Sequence, residues 1–319
     1  MKSSFSIENK YIWDHWFLKE KEGYYKYFLQ APSYLTRDER HDNSSVGCAF
    51  SRDLKSWKYL GTVFKANPEC WYNSSIWTGS IVKSDNRYYM YFTSRNRNEI
   101  HEQKIGLVIS DSPLFEECKM IYKDRPILTV DSRYYEVNSP DGMTHWRDPF
   151  VFEENGLFYL LICARKKRGS INGRGTVAFA RSNDLINWQI LPPLELPEWF
   201  GYCECPYICK KNKLYYLHFS AYGFSDKFLN ETNNRPIQGD YYLVSENLKG
   251  PYQAINNGPA LFGEKFEHIF YNTKILFYKN RAYALSWART DYKDVRALTH
   301  ISPMEINYSE KGNIILSEV

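Results

Sequence analysis

Residues 146–162 read WRDPFVFEENGLFYLLI: an apolar strand, a polar Glu-Asn-Gly turn and a second strand rich in aromatics. Alternating apolar and aromatic runs broken by a short Asn/Gly turn are the signature of a β-hairpin. The same plan recurs four more times, as WDHWFLKEKEGYYKYFL at 13–29, WTGSIVKSDNRYYMYFT at 77–93, CECPYICKKNKLYYLHF at 203–219 and YNTKILFYKNRAYALSW at 271–287. The aromatic strands begin at Tyr24, Tyr88, Phe158, Tyr215 and Ala282, so successive units are 64, 70, 57 and 67 residues apart. A unit of that length fits a four-stranded blade with generous loops. Two units continue into a matching third element, CAFSRDLKSW at 48–57 and AFARSNDLINW at 178–188, and LVISDSPLFEE and YLVSENLKGPY are degenerate versions of it. Repetition of one sheet five times predicts an all-β, five-bladed β-propeller in which each blade packs face to face on the next.

No linker rich in Pro, Gly or Ser divides the chain, and residues 290–319 suffice only to finish the fifth blade. The expectation is therefore a single domain over 1–319, with residues 225–240 as a surface loop. Tyr, Phe and Trp make up 17% of residues, which suits strands with a packed face. The 41 basic and 37 acidic residues are scattered, without the basic cluster of a nucleic-acid footprint. No apolar run approaches a membrane span, and MKSSFSIENK lacks the apolar core of a secretory signal. Seven cysteines, an odd number in a large chain, fit a reducing compartment better than a disulfide framework, so the expected location is the cytoplasm. Cys203, Cys205 and Cys209 raise the question of zinc, but without paired Cys-x2-Cys spacing they read as buried thiols and no metal is expected.

Counting back ten residues from each aromatic strand gives Asp14, Thr78, Asp148, Cys205 and Asn272, with Glu204 one place before Cys205. The first strand of every propeller blade lines the central channel, so equivalent positions converge at one end of the axis. The repeat register thus gathers three carboxylates around one pocket. Converging carboxylates repel and are costly, and glycoside hydrolysis is a chemistry that needs them. One carboxyl protonates the leaving oxygen and a second attacks the anomeric carbon or activates water. A third can hold sugar hydroxyls. Trp13, Trp16, Trp77 and Trp146 flank these positions; flat aromatic faces serve sugar rings and blade packing alike, with Trp13 and Trp77 the better placed for the pocket. Arg147, beside Asp148, can depress a carboxylate pKa or contact the sugar. His15 and His41 read as polar surface residues near the rim.

These residues resemble clan J glycoside hydrolases, the five-bladed propellers of families 32 and 68 that include invertases, levanases and levansucrases. Trp146-Arg147-Asp148-Pro149 is similar to the clan's Arg-Asp-Pro motif, Glu204-Cys205-Pro206 to the Glu-Cys-Pro motif, and Trp77-Thr78-Gly79-Ser80 to the aromatic-Ser-Gly-Ser segment. Phe28-Leu29-Gln30-Ala31-Pro32 resembles the stretch that follows the nucleophile. Gly47–Trp57 resembles the Gly-His-Ala-x-Ser-x-Asp-Leu-x-x-Trp repeat, and Phe270-Tyr271 the Phe-Tyr-Ala of the last blade. Trp13-Asp14-His15-Trp16 departs from family 32 and is closer to the Trp-Asp-x-Trp of family 68. The C-terminal β-sandwich usual in family 32 has no counterpart in the 319 residues.

The resemblance implies a retaining β-fructofuranosidase acting on sucrose or a short fructan. It implies Asp14 as nucleophile, Asp148 as transition-state stabiliser and Glu204 as general acid/base, with Trp13, Gln30, Trp77, Ser80 and Arg147 holding the sugar. It implies no metal and no cofactor, and a small carbohydrate as the partner. The nucleophile and acid/base carboxyls of a retaining enzyme lie about 5 to 5.5 Å apart. Two rivals stand beside this reading: an inverting arabinofuranosidase or xylosidase of the family 43 type, and a sugar-binding propeller without turnover. A lectin-type propeller repeats its site in each blade, whereas the acids here occupy three blades and differ in kind. Nothing in the sequence specifies an oligomeric state.

Overall fold

The structure, a computed structural model, describes residues 3–255, 260–262, 264–291 and 296–316. Among them the strands form five antiparallel sheets arranged as the repeats require. Blade I comprises Lys10–Glu20, Gly23–Pro32, Ser45–Ser51 and Lys58–Phe64; blade II Ile76–Ser84, Arg87–Asn96, Glu99–Ser110 and Cys118–Met120. Blade III comprises Arg147–Glu154, Leu157–Arg165, Gly175–Ser182 and Gln189–Leu191, and blade IV Phe200–Lys211, Leu214–Phe224 and Gly239–Ser245. Blade V begins with Phe270–Tyr278 and Arg281–Ala288, and its outer half is shared by Thr299–Ile301, Met304–Tyr308 and Ile314–Leu316. The N-terminal strand Ser3–Phe5 pairs with Thr299–Ile301, so the start of the chain completes the last blade and clasps the ring shut.

Local sequence explains the repetition. Four of the five inner hairpins turn on two residues that both have positive φ: Asp85-Asn86, Asn155-Gly156, Asn212-Lys213 and Lys279-Asn280. That geometry matches the twist of the flanking strands and is favoured by Asn and Gly. The third strands of blades I and III end in the same turn. Asp53 Oδ1 accepts from the Lys55 and Ser56 amides, and Asp184 Oδ1 from those of Ile186 and Asn187, with Leu54 and Leu185 both left-handed. This is the Ser-x-Asp-Leu pattern read in the sequence.

Apolar burial lies between blades. One cluster joins blades I and II, others II and III, III and IV, and IV and V, while the cluster near the I–V seam is small. Burying aromatics between sheets is the main stabilising contribution. Trp16 and Trp146 belong to this packing: Trp16 stacks 6.2 Å from Tyr27, and Trp146 lies 5.2 Å from Tyr135. The I–V seam carries buried polar groups instead. Lys26 Nζ sits 4.0 Å from the centre of Trp57 and 3.3 Å from His300 Nδ1, and His15 meets His300 ring to ring at 4.8 Å. His15 is therefore an interior residue, not the surface histidine the sequence suggested; its Nε2 lies 3.2 Å from the Leu285 carbonyl oxygen.

The expected loop at 225–240 also differs, since Asp226–Thr232 is an α-helix. Its Phe228 is buried against Trp199 and Phe200, so apolar residues in a polar stretch fold back onto blade IV. No helix among the described residues is long and apolar enough to cross a membrane.

Candidate active site

Every inner strand breaks its pairing register at the same height. The breaks fall between Trp13 and His15, Trp77 and Gly79, Arg147 and Phe150, Glu204 and Tyr207, and Tyr271 and Lys274. The residues set free are Asp14, Thr78, Asp148, Cys205 and Asn272, the five positions found by counting along the repeats. A bulge re-aims a side chain that regular pleating would point into a sheet interface. In blades III, IV and V the bulged residue is left-handed, with φ of 58° at Asp148, 50° at Cys205 and 52° at Asn272.

The five bulges are tied into a ring by hydrogen bonds between neighbouring blades. Thr78 Oγ1 donates to Asp14 Oδ2 at 2.5 Å, the Asp148 amide to Thr93 Oγ1 at 2.8 Å and the Cys205 amide to Asp148 Oδ2 at 3.0 Å. The Asn272 amide donates to Ser220 Oγ at 2.9 Å, and Asn272 Nδ2 closes the circle on the His15 carbonyl at 3.3 Å. Beneath it the buried Lys274 ammonium donates to the Cys205 carbonyl at 2.9 Å.

Asp14, Asp148 and Glu204 open into one cavity of about 540 Å³ at the propeller axis, also lined by Trp13, Trp77 and Arg147. Asp14 Oδ1 accepts from Trp287 Nε1 at 2.9 Å, so both of its oxygens are fixed. Arg147 donates to Glu204 Oε1 from Nη2 at 2.6 Å and from Nε at 3.2 Å, and its Nε lies 3.7 Å from Asp148 Oδ2. The Tyr271 hydroxyl donates to Glu204 Oε2. Arg147 Nη1 lies 2.7 Å from His145 Nδ1, and His145 Nε2 lies 2.9 Å from Asp141 Oδ2. A guanidinium can only donate, so Nδ1 accepts and Nε2 carries the proton to Asp141.

These surroundings separate the three acids. Burial pushes Asp14 up, against the hydrogen bonds from Thr78 and Trp287. Burial pushes Asp148 up to about 7, with Arg147 opposing and the two neighbouring carboxylates adding to the rise. For Glu204 burial also favours the neutral form, but Arg147 and Tyr271 outweigh it and hold the carboxyl below its usual range. Of the two carboxyls around Arg147, Asp148 is thus the one whose neutral form is favoured.

A model of the glycosyl hydrolases family 32 N-terminal domain matches residues 5–307. The chain belongs to glycosyl hydrolase family 32. This family 32 protein is 22% identical over 327 residues to the extracellular sucrase of Zymomonas mobilis, a match spanning 84% of the chain and 76% of that protein. It is 27% identical over 195 residues to the sucrose-6-phosphate hydrolase of Bacillus subtilis, which covers 58% of the chain and 36% of that protein. Its fold superposes on an inulosucrase from Halalkalicoccus jeotgali bound to kestose with a TM-score of 0.77 at 20% identity, covering 99% of this chain and 91% of that one. The family 32 enzyme is a glycosidase that acts on O-glycosyl bonds.

Two residues expected to touch sugar lie elsewhere. Gln30 is fully buried within blade I, where its amide donates to Thr62 Oγ1 at 2.7 Å and accepts from the Tyr59 hydroxyl at 2.9 Å. Ser80 follows the blade II bulge, and the shifted alternation turns it into the interface with blade III. There its hydroxyl accepts from the Val151 amide at 2.9 Å. It steadies the strand that carries Asp148. His41, read as a surface residue, instead lines the cavity between Trp13 and Trp77, at ring distances of 5.9 and 6.1 Å. The three clustered cysteines part company: Cys203 packs between blades III and IV, Cys205 Sγ lies 3.7 Å from Asp14, and Cys209 Sγ lies 3.8 Å from His218 Nε2.

Sequence reasoning missed Tyr271, Trp287, His145, Gln103, Arg40 and Arg289, all in the lining. Trp287 had a visible signal, because it ends the fifth aromatic strand.

Proposed function

We propose that this propeller is the catalytic domain of a retaining β-fructofuranosidase that acts on sucrose or short fructans. Asp14 is the nucleophile, Glu204 the general acid/base and Asp148 the stabiliser of the furanose hydroxyls. The observation that carries the reading is that the bulged Asp14 and Asp148, and Glu204 beside the bulged Cys205, line one cavity, with a single guanidinium between Glu204 and Asp148. One Asp14 oxygen attacks the anomeric carbon while the Glu204 proton passes to the departing glycosidic oxygen. Glu204, now ionised, then takes a proton from water as that water attacks the fructosyl-Asp14 ester, and Asp14 is freed.

Asp148 and Glu204 titrate as a pair because they share Arg147. Furanose hydroxyls donating to Asp148 favour its ionised form, draw Arg147 toward it and leave Glu204 the better proton holder. Binding therefore moves the proton to the carboxyl that needs it. Seven free cysteines, six of them wholly or partly buried, support a reducing, cytoplasmic setting.

Product analysis on sucrose tests the reading. The wild type is expected to release glucose with fructose or fructosyl-transfer products. Asp14→Asn should lose activity by about 10⁴-fold or more, and Glu204→Gln by about 10² to 10⁴. Sucrose left intact by the wild type, or cleaved equally well by Asp14→Asn, would overturn it.

A further inference from the structure

Lys274 follows the blade V bulge by two residues, is buried, and lies outside the cavity lining, beneath the ring. Its ammonium donates to the Cys205 carbonyl at 2.9 Å and sits 4.5 Å from the centre of the Tyr207 ring; among the described residues it makes no ion pair. Exchanging water for one carbonyl and one aromatic face is costly for a charge. Burial accordingly lowers the pKa of Lys274, against Cys205 and the more distant carboxylates Asp240, Asp14 and Asp148, which hold the proton on. Asp240 is fixed for this task by the Ser220 hydroxyl and by the hydroxyl and amide of Thr273. The bases packed nearby stay neutral: burial lowers His15 and His218, and the Lys274 charge lowers both further, joined at His15 by Lys26.

The Cys205 peptide connects this charge to two of the acids. Its carbonyl accepts from Lys274, its amide donates to Asp148 Oδ2 at 3.0 Å, and its thiol lies 3.7 Å from Asp14 Oδ2. A cation at the peptide oxygen polarises the unit and strengthens the amide as a donor. Around Asp14, burial and the Glu204 charge favour the neutral acid, whereas Thr78, Trp287 and Lys274 favour the carboxylate; Arg40, in the lining, also feels the Asp14 charge. A carboxylate nucleophile has to be ionised to attack. We propose that Lys274 is a positioning residue of the active site, a fixed positive charge on the side away from the sugar that keeps Asp14 ionised and, through the Cys205 peptide, holds Asp148 in place. This rests on the fructofuranosidase reading, in which Asp14 attacks the anomeric carbon.

The test follows kcat/KM on sucrose against pH for the wild type, Lys274→Met and Lys274→Arg. Lys274→Met is expected to move the acid limb upward by about one pH unit, and Lys274→Arg, which keeps the charge, to return it toward the wild-type position. A Lys274→Met profile that is lower but unmoved, or a shift of equal size in Lys274→Arg, leaves Lys274 a purely structural role and overturns the proposal. If the wild type leaves sucrose intact, the fructofuranosidase reading fails and the charge is read without substrate. The carboxyl carbon-13 signal of Asp14, assigned with Asp14→Asn, should then titrate at higher pH in Lys274→Met than in the wild type, and equal midpoints contradict the proposal. Should Lys274→Met not fold, the side-chain nitrogen-15 signal of Lys274 in the wild type, assigned with Lys274→Arg, decides: an ammonium through neutral pH supports the fixed charge and a neutral amine excludes it.

Discussion

Arg147 has two carboxylates within reach and one guanidinium to divide between them. His145 and Gln103 hold its Nη1 on the far side, at 2.7 and 3.0 Å, and His145 is braced in turn by Asp141. Burial and the adjacent guanidinium push His145 down to about 4, so it remains a neutral acceptor across the working pH range. The proton that activity requires belongs to the Asp148–Glu204 pair. With Asp148 at about 7, kcat/KM is expected to fall as pH rises past neutrality, about tenfold per unit. Tyr271→Phe removes a donor that favours ionised Glu204, so Glu204 should hold its proton to higher pH. The basic limb of the pH–rate profile should move upward; a limb that stays put would show that Tyr271 does not tune the acid. Asp14, Asp148 and Glu204 could be found in the sequence because they obey the repeat. Arg40, Arg289 and His145 could not, because they come from connections that have no counterpart in other blades.

The bulge is the device that converts a repeated strand into a site. In blade II it depends on close approach of backbones: a Cβ added at Gly79 would lie 2.1 Å from the Tyr91 carbonyl oxygen. Gly79→Ala is expected to destabilise the protein by about 1–3 kcal/mol or more and to move Thr78 off Asp14. Urea unfolding and kcat should both report it, and a variant as stable and active as the wild type would show that the bulge tolerates a side chain. The hairpins and their register were legible, since Asn-rich turns and aromatic strands mark both ends of each unit. The bulges were not. A two-residue alternation gives no hint that pairing slips, and for that reason Ser80 was placed in the pocket when its side chain belongs to the interface between blades. Gln30 failed differently: its amide finds both partners inside its own blade, which the linear sequence does not display.

At the scale of the ring, the joint between blades I and V differs from the other four. It closes on the N-terminal strand and contains Lys26, His15 and His300, all buried. Burial pushes all three pKa values well below their ordinary positions, and the Lys26 charge depresses both histidines further. Burial also lowers His41 and His145 to about 4 and His218 to about 3. The unfolded chain protonates these five histidines from about pH 6.5 downward while the folded protein keeps them neutral, so stability is lost as pH falls through that range. Asp148, raised to about 7, and Asp240, raised to about 6, act in the opposite sense, contributing stability below about 4 that is lost as pH rises. The five lowered histidines outnumber the raised acids Asp14, Asp148 and Asp240. The urea midpoint is therefore expected to drop between pH 6.5 and 4. Lys26→Met keeps the apolar stem against Phe5 and Trp57 and removes the charge that depresses His15 and His300, so it should make that loss smaller. A midpoint flat across this range in the wild type would exclude the seam as the acid-sensitive joint.

Acid-quenching the wild type during turnover of sucrose and mapping any covalent fructosyl group by peptide mass spectrometry interrogates the assignment of the three carboxyls in one step. The expected result is one fructosyl unit esterified to Asp14 and none in Asp14→Asn. A fructosyl group on Asp148 or Glu204, or turnover with inversion of configuration and no adduct, would contradict it.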